Sequence, residues 1–495
     1  MAGMAPLAPA LDADACYRAL AAHDARFDGA FFTGVTSTGI YCRPVCRVKT
    51  PRRENCRFFA HAAQAEGAGF RPCLRCRPEL APRAAPWSAQ DASALLARHA
   101  ARLLDTPDAW GDDAPSVAGL AARLGVSDRH LRRVFESELG VTPLAWLQTR
   151  RLLAAKQLLA DTRLPVAQVA LAAGFASLRR FNAAFAAHYG LSPTALRRRG
   201  AAGSAGGAVE VLLGWRPPYD AAALLGFFAQ RAIDGLEQVD PAAGTLARTL
   251  RLGAASGWVA CAFEPAASRV RVRVAEALAP QLPRVIARVR AWLDLDADPA
   301  AIHAVLGADF PHAAGLRVPG APDGFELAVR AVLGQQVTVA AARTLAARLV
   351  RRFGAPLPEP ESTHGLARLF PTPAALAAAS GDELGQLGLV RQRQAAVQAL
   401  ARAVDGGTLA LHAGADVAAT TAALKALPGI GDWTAGYVAL RALRWPDAFP
   451  AGDVALQKAL GVTSARAAEA RAERWRPWRG YAVVRAWHGA FQPTP

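Results

Sequence analysis

LPGIGDWTAGYVALRAL (427–443), followed by FPAGDVALQKAL (449–460) with an aspartate at 453, decides how the C-terminal part of the chain is read. An apolar helix runs into Leu427, and glycine at 429 and 431 lets the backbone of the turn approach a phosphate closely. The turn amides and the N-terminus of the next helix then point donors at the anion. The pattern is a helix-hairpin-helix, with Gly429, Gly431 and Thr434 as its candidate DNA contacts. Alone, such a hairpin is only a non-specific anchor, so the acid 20 residues beyond Trp433 carries the discriminating information.

The chain around this hairpin has 495 residues and 52% hydrophobic composition, too long for one compact core and sufficient for three or four domains. Residues 296–495 are helical almost throughout. Alternating runs such as VEVLLGW (209–215) and RVRVRV (269–274) suggest strands within a mixed α/β piece, 209–295. GAAGSAGGA (200–208) is a linker by composition, assigned to 201–208. Residues 88–200 are amphipathic helices separated by Gly and Pro, and 1–85 form a module rich in Cys, Arg and turn formers. The expected fold class is therefore multidomain, mainly α with α+β parts.

The formal net charge is +17, and residues 1–200 alone carry 27 basic and 16 acidic side chains, a balance of +11. Such a surplus suits a polyanionic partner, because each phosphate neutralised releases condensed counterions. No stretch reaches the roughly 18 to 20 apolar residues that a spanning helix needs, and no cleavable leader pattern opens the chain. A cytoplasmic protein without a membrane partner, monomeric, is the expectation. Of seven cysteines, Cys42-x3-Cys46 and Cys73-x2-Cys76 form two close pairs, at spacings that can chelate one tetrahedral Zn2+. Cys16, Cys56 and Cys261 lack such partners and read as ordinary buried thiols.

The context of the pairs, FFTGVTSTGIYCRPVCRVKTPRRENCRFF (31–59) and AGFRPCLRC (68–76), resembles the zinc domain of the Ada family of methylation-responsive regulators over about residues 15–80. The resemblance implies that Cys42, Cys46, Cys73 and Cys76 hold zinc and that Cys42 accepts a methyl group from a DNA phosphotriester. Arg43, Arg47, Lys49, Arg52, Arg53, Arg71, Arg75 and Arg77 would then hold DNA. A purely structural zinc is the alternative.

SVAGLAARLGVSDRHLRRVFESELG (116–140) reads as a helix-turn-helix, with a turn at Gly125 and Ser127 as N-cap of the second helix. The layout recurs in VAQVALAAGFASLRRFNAAFAAHYGLSPTALRR (166–198), turning at Gly174. Through Gly174, Phe175, Phe181, Phe185, Gly190, Ser192 and Pro193 this region resembles the AraC family of DNA-binding domains. Arg129, Arg132, Arg179 and Arg180 are the candidate base-reading side chains, phosphate contact being the alternative.

GWRPPYDAAALLGFFAQRAI (214–233), FELAVRAVLGQQVTVAAARTLAARL (325–349), the hairpin and RWRPWRGYAVVRAW (474–487) resemble the 3-methyladenine DNA glycosylase II (AlkA) family within the helix-hairpin-helix glycosylase superfamily. The resemblance implies Asp453 as the catalytic carboxylate, either activating water or stabilising an oxocarbenium-like sugar. It places Phe227, Trp433, Tyr437 and Trp487 around a flipped, electron-poor base, while Trp475 and Trp478 read as core. Gln336 stands where the family has an apolar wedge, and Val454 where it has Tyr. Trp433 replaces the Schiff-base lysine of strand-cutting relatives, and no cysteine follows Cys261, which excludes an iron-sulfur loop. The expectation is a monofunctional hydrolase that needs no cofactor for base release and leaves an abasic site.

No Pro-Cys-His-Arg site occurs, so O6-methylguanine repair is not expected. Two other readings stand beside the leading one: a transcription activator with a vestigial glycosylase, and an enzyme whose N-terminal part is only a DNA tether. The partners implied are double-stranded DNA and, for an activator, RNA polymerase.

Overall fold

The computed structural model describes residues 12–82, 92–110, 115–200, 208–361 and 364–489, so the expected linker lies outside them as far as position 207. The chain divides into two compact units: residues 1–217 with the short pieces 266–269 and 279–284, and residues 218–265, 270–278 and 285–495.

The first unit opens with helix Ala13–Ala21, started by Asp12, whose side chain accepts from the amides of Asp14 and Ala15. A four-stranded sheet follows, in the order Cys56–Phe59, Phe32–Val35, Ile40–Cys42, Arg71–Pro72. These strands are two to four residues long, too short for a period of two to show in the sequence. Phe32, Tyr41, Ala65, Phe70 and Ala81 pack together as the core of the module.

The reader helices are Ala92–Asp105, Val117–Arg123, Asp128–Leu139, Pro143–Asp161, Val166–Ala172, Leu178–Tyr189 and Pro193–Gly200. Ser127 and Ser177 cap their helices by accepting from the amides of His130 and Arg180. Gly125 and Gly174 have φ of +66° and +85°, which only glycine adopts without strain, so both turns fall where the sequence puts them. The long helix Pro143–Asp161 also buries against the cysteine module. Lys156 Nζ donates to the carbonyl of Cys73 at 3.0 Å and pairs with Glu79 at 2.7 Å. Arg77 bridges Glu79 at 3.0 Å and Asp161 at 2.7 Å. Glu66 accepts from Tyr41 Oη at 2.8 Å and from Thr149 Oγ1. Burial alone would raise the Glu79 pKa, but Lys156 and Arg77 outweigh it and leave this carboxyl below its usual range.

In the second unit four strands lie in the order Arg269–Ala275, Ala255–Glu264, Thr245–Leu252, Glu237–Asp240. The valines of RVRVRV fulfil the period-two reading, since Val270, Val272 and Val274 are all fully buried. The helical body surrounds a core that includes Leu327, Val332, Leu349, Leu400, Leu424 and Val438. Its one departure from the all-helical expectation is a small hairpin of Pro356–Glu361 against Leu366–Arg368 among the described residues. Trp475 and Trp478 are buried, as read from the sequence.

Candidate active site and metal centre

Helix Val417–Lys425 and helix Asp432–Arg441 flank the Leu427–Gly431 turn. Buried Ile430 anchors the turn. Gly429 has φ +74°, and a Cβ there would lie 3.2 Å from that of Ala396, so conformation and space both require glycine. Gly431 differs: its φ is −98°, and a Cβ would meet nothing within 4 Å. Its bareness serves approach from outside, and as N-cap it places no side chain over the first amides of the following helix.

Gln335, which sequence reasoning missed, ties the turn from inside. Its Nε2 donates to the carbonyl of Gly429 and to Thr434 Oγ1, both at 2.9 Å. Thr434 is buried, and its hydroxyl, accepting from Gln335, braces the hairpin. The neighbouring Gln336 is exposed, with φ +54°, a left-handed conformation that non-glycine residues rarely adopt.

Asp453 is the N-cap of helix Val454–Ala459, and its Oδ1 accepts from the Leu456 amide at 2.7 Å. The cap uses Oδ1, with no backbone bond to Oδ2 among the described residues. Trp433 Nε1 donates to Oδ2 at 2.7 Å, and Trp487 Nε1 donates to Oδ1 at 3.2 Å. Two indoles thus fix the plane of the carboxylate from positions 20 residues before and 34 after it. Trp433 also stacks on Tyr437, with ring centres 5.3 Å apart and an 18° tilt, and Trp487 leans on Tyr437 at 6.2 Å. Three of the four expected pocket aromatics consequently form one group with Asp453.

Phe227 stands differently. Arg231 covers its ring at 3.7 Å, and Arg441 approaches it at 4.8 Å. The ring face of Phe227 under Arg231 is thus taken up by that guanidinium. Arg441 continues to the ring of Tyr437 at 5.1 Å, donates to the Tyr437 hydroxyl, and is fixed by the carbonyls of Pro319 and Gly320 at 2.6 and 3.1 Å. Burial, with Arg441 nearby, pulls the Arg231 pKa down. Val454 is 78% exposed beside Asp453 and fills none of the space that a Tyr would.

In the first unit one ligand atom from each of Cys42, Cys46, Cys73 and Cys76 lies within 4.8 Å of the others. Sulfurs so crowded suit tetrahedral zinc at about 2.3 Å from each. The crowding pushes the Cys42 and Cys76 thiols up and the Cys46 and Cys73 thiols down, and four thiolates this close repel one another unless a cation sits among them. The residues therefore fit a zinc ion. Cys16, Cys56 and Cys261 are buried thiols, as expected.

Several of the arginines read as DNA contacts have partners within the fold: Arg53 with Asp14, Arg71 with the Tyr189 carbonyl, Arg43 and Arg77. Arg43 is buried, pairs with Asp28 and donates to the carbonyl of Cys76 at 3.0 Å. Arg77 forms the bridge to Glu79 and Asp161. Arg47, Lys49, Arg52 and Arg75 are exposed. In the reader Arg129, Arg132, Arg179 and Arg180 are exposed at the starts of their helices, with Arg132 paired to Asp128 at 3.0 Å.

The hairpin and its clasped carboxylate give the second unit the character of a base-excision protein, and family models agree. Residues 329–479 match the HhH-GPD superfamily of base excision DNA repair proteins, and 210–323 match the AlkA N-terminal domain. Residues 15–79 match the metal binding domain of Ada, and 120–199 match a helix-turn-helix domain. The chain belongs to the family of two-part activator and repair proteins that joins Ada-type and AlkA-type regions. It is 41% identical, over 98% of its own length and 97% of the relative's, to the probable bifunctional transcriptional activator/DNA repair enzyme AlkA of Mycobacterium tuberculosis. It is 38% identical to DNA-3-methyladenine glycosylase 2 of Escherichia coli, over 56% of this chain and 96% of that one. Against the bifunctional transcriptional activator/DNA repair enzyme Ada of Escherichia coli the identity is 39%, over 29% of this chain and 38% of that protein. No helix among the described residues is long and apolar enough to cross a membrane.

Proposed function

We propose that the second unit hydrolyses the N-glycosidic bond of alkylated purines in DNA, of the 3-methyladenine and 7-methylguanine type, leaving an abasic site. The observation that carries this reading is the Asp453 carboxylate, oriented by Trp433 and Trp487 beside the Trp433–Tyr437 stack. An N3- or N7-alkylated purine is cationic and leaves as a neutral base, so the main requirement is negative charge beside the oxocarbenium-like sugar. Asp453 supplies it, and water adds at the sugar carbon while its proton passes to solvent or to the carboxylate. The hairpin amides at Gly429 and Gly431 bind a nearby phosphate while the base turns outward. With Trp at 433 no amine is present there to form a Schiff base, so the product strand stays uncut.

Release of methylated purines from alkylated duplex DNA is the test. Asp453→Asn is expected to slow release by about 10²–10⁴-fold, the usual range for a positioned proton-transfer or charge-stabilising group. Equal release by both proteins overturns the assignment.

A second activity is favoured by the sulfur cluster. Cys42 attacks the methyl carbon of a methyl phosphotriester; the S–C bond forms, the C–O bond breaks, and a phosphodiester anion leaves. Zinc held by Cys42, Cys46, Cys73 and Cys76 would supply the positive charge that keeps sulfur ionised at neutral pH. Loss of one negative charge lowers repulsion from DNA, and the exposed Arg129, Arg132, Arg179 and Arg180 then bind promoter DNA. Radiolabelled methyl phosphotriester DNA is expected to label wild type and not Cys42→Ala; label on the variant removes this reading.

A further inference from the structure

Beside the sulfur cluster lies a small cavity with about 10 Å³ of accessible space, enough for one water-sized group. Leu20, Val35, Cys42, Cys46 and Val48 line it, together with Thr33 and His23, whose Oγ1 and Nδ1 are buried without a hydrogen-bond partner. Cys73 and Cys76 do not line it, so it is distinct from the space between the four sulfurs. A cavity of about this size leaves room for a single carbon and no longer chain.

Cys42 itself is only 6% exposed, so a reacting group reaches its sulfur through a confined approach. His23, Thr50 and Pro51, all partly exposed, also line the cavity and open it to solvent. Val48, which lines the cavity, lies in sequence between two exposed cations, Arg47 and Lys49. The strand pairing fixes one wall: Thr33 faces Cys42 and Val35 faces Ile40 in neighbouring strands, so the position of Val35 relative to the sulfur is set by the sheet.

We propose that this cavity is a one-carbon slot, shaped by Leu20, Val35 and Val48, that admits the methyl group of a phosphotriester to Cys42 and rejects longer alkyl groups. The inference rests on the reading of Cys42 as the methyl acceptor. In the transfer the methyl carbon lies between Sγ and the departing phosphate oxygen, then remains on sulfur as a thioether within the slot. The phosphate, now a diester anion, withdraws. An ethyl donor carries one more carbon, for which the cavity has no room. One methylene in a close-fitting apolar pocket discriminates by about 10–200-fold.

The experiment compares the full-length, zinc-loaded chain with duplex DNA bearing a single methyl or a single ethyl phosphotriester, reading the alkyl adduct on Cys42 by intact mass and peptide mapping. Wild type is expected to take methyl at least about tenfold faster than ethyl. Val35→Ala and Val48→Ala, each retaining one zinc per chain, are expected to reduce that ratio by accelerating ethyl transfer. Equal rates for the two donors in wild type, or a ratio unchanged in both enlarged variants, overturns the slot. Absence of any adduct from either donor removes the acceptor reading beneath it and the slot with it, a result distinct from unselective transfer.

Discussion

The sulfur cluster and the Asp453 site place their working atoms by opposite means. Four cysteines from two short stretches contribute four equivalent ligands, and each depends on the same cation. At the other site a single carboxylate, Asp453, is proposed to do the chemistry, and Trp433, Trp487 and the Leu456 amide orient it. A set of equals fails as a whole when one member is lost. A site with one principal and several supports fails by degrees.

The largest effect should come from breaking the set of equals. Chelation, or Cys46→Ala, removes a cation worth about 10–16 kcal/mol to small zinc modules. The melting transition of the first unit is expected to disappear while base release by the second persists; retention of both transitions contradicts the model of a zinc-dependent fold. Lys156→Met leaves Glu79 buried beside Arg77 alone and should cost the first unit about 3–5 kcal/mol, read by urea unfolding. An unchanged midpoint would mean that this pair lies outside the cooperative unit.

The supports of Asp453 should act more gently. Trp433→Phe removes a 2.7 Å donor to a carboxylate, worth about 1.5–3 kcal/mol, and is expected to slow base release by about 10–100-fold. Trp487→Phe, with its longer 3.2 Å bond, should fall short of that loss. If the order is reversed, placement by hydrogen bonding is not what distinguishes the two indoles. The smallest effect belongs to Gln335→Ala, which loosens the hairpin by about 1 kcal/mol and should weaken binding to abasic-site DNA by about fivefold.

The two sites also differ in how far the sequence discloses them. Cysteine spacing alone announces the metal set, because its ligands come in local pairs. Helix starts at Ser127 and Ser177 and turns at Gly125 and Gly174 are equally local, and they form where the sequence puts them. Asp453 and the indoles were legible as a group only through motifs. Their hydrogen bonds span 20 and 34 positions, and nothing in a local pattern distinguishes an indole that stacks on a base from one that donates to a carboxylate.

The misreadings have the same origin. Arg43 looks like a surface cation because its acid, Asp28, lies 15 residues away, and Arg77 because Asp161, which with Glu79 engages it, lies 84 away. Gln335 was passed over because its partners, Gly429 and Thr434, lie 94 and 99 residues on. Arg231 is close in sequence to Phe227, yet its placement over the ring depends on the packing that also brings up Arg441. Turns and caps with local partners form where the sequence puts them, whereas the distant partners of Arg43, Gln335 and Phe227 are set by tertiary packing.

The ties between helix Pro143–Asp161 and the cysteine module bear on inheritance. A gene fragment ending between them would translate a module whose Glu79 has lost Lys156, and a reader whose Asp161 and Lys156 have lost Arg77 and Glu79. The module would keep only its own Arg77–Glu79 pair, and the reader would be left with two unpaired charges. The cysteine module and the reader helices are therefore expected to be inherited as one piece.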